Sequence, residues 1–81
     1  MFKVGKVIHY YDKTMMASVI VENTLSVGDK IKFVSENKDL FNQVVDLIQV
    51  GYKKLDSANR GDMVGLKTDQ AVTEGTEIFK F

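Results

Sequence analysis

Apolar and polar residues alternate over short stretches of this 81-residue chain, and glycines break the runs. Alternation with a period of two marks a strand with one buried face. It is clearest over residues 15–22, where Ala17, Val19 and Val21 are expected to point inward and Ser18 and Glu22 outward. A second such run places Ile31 and Phe33 on one face and Lys30 and Lys32 on the other. Residues 3–11 are rich in valine, isoleucine and tyrosine, which favours a strand. Neither face of that strand is cleanly apolar, and Gly5 within it marks a bulge or a close backbone crossing. Further strands are predicted over residues 63–68 and 76–81.

The connections follow from residue chemistry. Asp12-Lys13-Thr14 reads as a hairpin turn, residues 35–39 as a polar link and residues 51–59 as a charged, irregular segment. Residues 23–29 read as a loop that tucks Leu25 and Val27 beneath the sheet, and residues 69–72 as another loop. Residues 40–50 are ambiguous. Leu40, Phe41, Val44, Val45, Leu47 and Ile48 recur with a helical period. Weak helix formers, the lack of a capping box and the β-rich neighbours favour a strand whose period is shifted by a bulge, with a helix as the alternative.

One phrase recurs. In Ala58-Asn59-Arg60-Gly61-Asp62-Met63-Val64-Gly65-Leu66 a Gly-Asp step launches a strand. Glycine takes a positive φ without steric cost, and aspartate bonds nearby backbone amides. The same syntax appears at Ser26-Val27-Gly28-Asp29-Lys30-Ile31 and, more loosely, at Thr73-Glu74-Gly75-Thr76-Glu77-Ile78. About six short strands at roughly ten-residue spacing, with glycine turns, predict one all-β domain over residues 1–81, a small closed antiparallel six-stranded barrel. The small Ala17 suits a tight interior, and closure removes the edges that a proline-free, strand-rich chain must otherwise protect.

Composition narrows the chemistry. With no cysteine, disulfides and thiolate zinc sites are excluded. Eleven basic residues balance eleven acidic ones, which argues against nonspecific coating of a phosphate backbone. The longest apolar stretch, residues 15–21, is too short to span a bilayer, and the N-terminus shows no secretory signal, so no membrane association and a cytoplasmic location are expected. His9 is the sole histidine, which rules out a histidine metal cluster; it reads as a half-exposed strand residue. Of Met15 and Met16, one is expected in the core. There is no G-x-S-x-G elbow, no paired-carboxylate arrangement and no G-x-x-x-x-G-K-[ST] phosphate loop. The expectation is a protein without catalytic centre, metal, cofactor or bound nucleotide. Arg60-Gly61-Asp62 is read as a turn at a strand start rather than an adhesion tripeptide.

Gly5-Lys6-Val7, Leu25 to Ile31, Gln43-Val44-Val45 through Ile48, Ala58 to Leu66 and Glu74-Gly75 together resemble, in order and spacing, the β-barrel second domain of translational GTPases such as elongation factor Tu. The resemblance covers nearly the whole chain and implies a six-stranded barrel that contacts tRNA, rRNA or a translation-associated protein. In that family an acidic residue on the strand before the A-x-x-G-D run helps hold the aminoacylated tRNA end; Gln49 stands there in this sequence, so that pocket is not carried over.

Candidate contact residues are Lys30 and Lys32 on one strand face, and Tyr52, Lys53, Lys54 and Arg60 ahead of and within the Gly-Asp turn. Lysines interleaved with aromatics supply cations for phosphates and platforms for bases; the same residues also serve as a solvated rim. The first expectation is therefore a non-catalytic RNA- or ribosome-contacting module. The second is a protein-docking accessory barrel, because similar barrels occur as the C-terminal domain of collagenase-like peptidases that act on peptides or modify RNA.

Overall fold

Ten segments become strands, the longer of them carrying most of the valines and isoleucines of the core, and every pairing between them is antiparallel. A computed structural model describes residues 1–81 in full. The strands are β1 (Phe2–Tyr11), β2 (Met16–Val21), β3 (Leu25–Ser26), β4 (Lys30–Ser35), β5 (Lys38–Val44), β6 (Ile48–Val50), β7 (Lys53–Leu55), β8 (Ser57–Ala58), β9 (Met63–Lys67) and β10 (Glu77–Lys80). Eight form one sheet in the order β5-β4-β10-β1-β2-β9-β6-β7, and β3 pairs with β8 in a second, two-stranded sheet.

The all-β, antiparallel character agrees with the alternation in the sequence. The six-stranded closed ring does not. The ladder has eight members, and its outer strands β5 and β7 do not pair with each other. The extra strands come from stretches read as loops: Leu25–Ser26 and Ser57–Ala58 are two residues each, too short to show alternation, and in Lys53–Leu55 two lysines hide the strand signal. The ambiguous segment is strand, not helix, and is interrupted between β5 and β6. Phe33 faces Phe41 and Val34 faces Asp39, so Leu40 is an extra residue on β5. That bulge explains the apparent helical spacing.

The core is built where alternation predicts. Ala17, Val19 and Val21 of β2 and Ile31 and Phe33 of β4 are fully buried. Each large aliphatic or aromatic side chain removed from water contributes about 1.5–3 kcal/mol. Phe33, the largest of them, stacks on Phe41 with centroids 4.6 Å apart. Along β1 both Val4 and Val7 point inward, a spacing that breaks the two-residue period. The register shift at Lys3/Gly5 against β10 produces it, and a second shift, at Val7/His9 against β2, follows Val7. Gly5 lies at the first shift, where a Cβ would sit 2.8 Å from Val19 Cγ1 and 2.9 Å from the Ile20 carbonyl oxygen. It marks a bulge and a close crossing together.

Two side-chain expectations are corrected. Leu25 is buried, but Val27 is 45% exposed, because it occupies the outer corner of the 26–29 turn. Neither Met15 nor Met16 joins the core; both are half-buried, and Met15 closes the β1–β2 turn at a φ of 54°.

The recurrent Gly phrase is a repeated device. In each copy the fourth residue's amide donates to the first residue's carbonyl: Asp29 to Ser26 at 3.1 Å, Asp62 to Asn59 at 3.0 Å and Thr76 to Thr73 at 3.2 Å. The third residue is a glycine at φ 96°, 92° and 88° respectively, the region that a type II turn reserves for glycine. Asp29 Oδ2 accepts the Ser26 amide and Asp62 Oδ2 the Asn59 amide, both at 2.8 Å. In the third copy Thr73 and Thr76 link their hydroxyls at 3.2 Å. Each turn then docks on one buried valine. Gly28, Gly61 and Gly75 donate to the carbonyls of Val45, Val21 and Val7, all at 2.8 Å, and each valine's amide donates back to the turn's fourth residue.

Candidate interaction surface

The residues proposed from sequence lie on different parts of the molecule. Lys30 and Lys32 are on β4, whereas Lys53 and Lys54 are on β7, at the far end of the sheet order, with β10, β1, β2, β9 and β6 between. Tyr52 stands fully exposed at the β6–β7 turn. Arg60 occupies the exposed second position of the 59–62 turn and lines a shallow cleft of about 410 Å³ with Lys3, Glu22 and Asn23. Along the sheet, the lysine-rich strands are not neighbours.

The expected outward pairing of Lys30 with Lys32 is only half realised. Lys32 is drawn down onto the surface, 2.9 Å from Asp39 Oδ2 and 5.5 Å above the Phe81 ring. Lys30 is exposed and has no carboxylate within ion-pair reach; the same holds for Lys53, Lys54 and Arg60. Tyr10 packs against the core, and Tyr11 stands edge-on to His9 at 4.5 Å. His9 is half-exposed, as read, and its Nδ1 lies 3.0 Å from Glu74 Oε2.

Around the first residues of β1 the charges are paired. Lys3 Nζ lies 3.0 Å from Glu77 and 3.3 Å from Glu22. The Glu77 hydrogen bond, with help from Glu22, holds the ammonium above its ordinary value against the opposing pull of partial burial. Lys80 Nζ donates to the Thr24 carbonyl at 3.1 Å and to Asp29 at 3.2 Å, and lies 5.5 Å above the Phe2 ring.

Every buried side-chain nitrogen and oxygen has a hydrogen-bond partner. Gln43 bridges strands: its Nε2 donates to the Lys67 carbonyl at 2.9 Å and its Oε1 accepts the Asp69 amide at 2.8 Å. One side chain thus joins β5 to the end of β9, where the backbone ladder leaves a gap. No group of three or more His, Asp or Glu side chains is gathered for a metal ion.

Sequence reasoning missed an apolar rim at one end of the sheet. Phe2 pairs with Lys80 across β1–β10, and the Phe81 amide donates to the Lys30 carbonyl at 3.2 Å. Lys30 in turn faces Val44. Lys30, Asn42, Gln43, Val44 and Phe81 line a second shallow cleft of about 520 Å³. Val44 and Phe81, which share that cleft, are 51% and 56% exposed, and Phe2, on the other face beneath Lys80, is 49% exposed. Phe81 follows Phe79 in the β10 alternation, and that was the available signal.

No family model matches the chain. An uncharacterized protease of Methanocaldococcus jannaschii is 27% identical over 77 residues, which are 95% of this chain and 19% of that protein. The chain therefore spans about a fifth of the curated relative's length. The crystal structure of the C-terminal domain of a Geobacillus thermoleovorans protein named as a U32 peptidase aligns at a TM-score of 0.90 and 24% identity, over 99% of this chain and 92% of that domain. Its selenomethionine form aligns at 0.85 and 25% identity, over 96% of each. These similarities overturn the translation-factor resemblance and, with it, the RNA-binding expectation. The shared runs are turn chemistry, a glycine at positive φ followed by a capping aspartate, and such chemistry marks a turn without marking what the domain binds. The similarities accord instead with the second expectation, a peptidase C-terminal accessory domain.

Proposed function

We propose that this chain is a single-domain, non-catalytic docking module for a peptidase of the U32 kind. Its likeness to the C-terminal domain of the Geobacillus thermoleovorans protein over 99% of its length carries that reading. The side chains agree with a supporting role: the acidic residues are dispersed, the single histidine is spent on Glu74, and no nucleophile is paired with a base. In this reading the curled sheet acts as a small barrel in which Gln43 bridges the gap in the ladder, presenting a rigid surface to the enzyme.

The test mixes the purified chain with the body of the Geobacillus thermoleovorans peptidase from which its own C-terminal domain has been deleted, its folding checked by circular dichroism. A docking module co-elutes with the body on size exclusion and leaves peptides uncut by itself. Separate elution at micromolar concentrations, or peptide hydrolysis by the chain alone, contradicts the proposal.

A further inference from the structure

We infer that the peptidase body docks on the rim formed by Lys30, Val44 and Phe81, beside the 26–29 turn; this deepens the docking reading above and rests on it. Three observations lead there.

The first is where neighbouring chain enters. The matched Geobacillus thermoleovorans structure is a C-terminal domain, and 92% of it is covered by this chain. In that protein the rest of the polypeptide therefore joins close to the start of the strand equivalent to β1. Here that start is Phe2, opposite Lys80 and one residue from Phe81. A body tethered at this point is held beside this end of the sheet.

The second is the surface itself. Val44 and Phe81 are 51% and 56% exposed, although each belongs to or borders a regular strand, and Val27 on the neighbouring turn is 45% exposed. The 26–29 turn that carries Val27 is fixed beside Val44 by the Gly28–Val45 hydrogen bond. Phe81 and Val44 flank the cleft of about 520 Å³. Apolar anchors beside a concave surface are the usual centre of a protein interface.

The third is charge. Lys32 and Lys80 are neutralised within the domain by Asp39 and Asp29. Lys30, at the rim, keeps an unpaired ammonium. The surface that fits is an apolar patch bearing an Asp or Glu opposite Lys30, and the partner is the folded peptidase body that carries it.

Isothermal titration of the full chain into the same peptidase body tests the assignment. Val44→Asp and Phe81→Asp are each expected to weaken binding at least tenfold, and Lys30→Glu to weaken it severalfold. Lys53→Glu/Lys54→Glu, on the opposite outer strand, is expected to leave it unchanged. Circular dichroism melts establish that the variants fold, and Phe81→Ser supplies a milder change at the chain end should Phe81→Asp unfold. Wild-type binding that survives all the rim substitutions overturns the rim while leaving the docking reading intact. Absence of binding by the wild-type chain overturns both.

Discussion

The Gly61 amide donates to the Val21 carbonyl at 2.8 Å, and the Val21 amide answers with a bond to the Asp62 carbonyl at 2.9 Å. A turn and a strand are thereby clipped together by two bonds, with a glycine at φ 92° making the approach feasible. The same clip joins Gly28 to Val45 and Gly75 to Val7. Because all three valines are buried, the clips hold the turns onto the core.

Loss of an aspartate at these clips removes the acceptor of one backbone amide. Asp62→Ala is expected to cost about 1 kcal/mol, the usual magnitude for such a hydrogen bond. Asp29→Ala costs more, because Asp29 also receives Lys80 Nζ. Urea denaturation of the two variants checks the order; equal losses contradict it.

Two glycines differ in why they are needed. A Cβ at Gly61 meets nothing within 4 Å, so Gly61→Ala costs only backbone strain, about 1–2 kcal/mol. A Cβ at Gly5 meets the Ile20 carbonyl oxygen at 2.9 Å, and backbone cannot step aside cheaply. Gly5→Ala is predicted to cost about 3 kcal/mol or more. Thermal melts that place Gly61→Ala below Gly5→Ala reverse the argument.

Gln43 holds two backbone groups that have no other strand to meet. Gln43→Ala leaves the Lys67 carbonyl and the Asp69 amide unmatched, at a cost of about 1–3 kcal/mol. Hydrogen exchange is the sensitive probe: the Asp69 amide is expected to exchange at least tenfold faster in the variant, with the β1–β10 amides little changed.

Lys3 gives the pH dependence. Its folded-state pKa is raised above 10.5, chiefly by the Glu77 hydrogen bond. A raised ammonium value stabilises the fold fully below the unfolded value, and that stability is lost as pH rises through the folded value. The stability difference between the wild type and Lys3→Met should be flat from about pH 7 to 9 and shrink above about pH 10.5, within the 0.2–1 kcal/mol of a solvent-accessible pair. Urea titrations across that window decide it; a difference that grows with alkalinity refutes the assignment.

Much of this was legible before any coordinates. The period-two pattern located β2 and β4 and their buried residues, and the Gly-Asp phrase located the turns. The valines that receive those turns were not legible, because the clips join residues far apart in sequence. The bulged strand favoured over residues 40–50 is what forms, and Leu40 is the bulge residue whose shift of the two-residue period left the helical alternative open. Lysine and aromatic content pointed to Lys30, Lys32, Tyr52, Lys53, Lys54 and Arg60, and of these Lys30 lies on the exposed rim; its apolar neighbours Val44 and Phe81 come to it from distant parts of the chain, a juxtaposition that only strand pairing reveals.

The central claim is that this domain serves as a docking piece and does so through its rim. An amide NMR titration of the labelled chain with the peptidase body lacking its own C-terminal domain measures both at once. The account predicts shifts concentrated at residues 27–30, Val44 and Phe81, with Tyr52, Lys53 and Lys54 unmoved. Shifts centred on Tyr52 to Lys54 would contradict the rim, and a spectrum unchanged by saturating body would contradict the docking role itself.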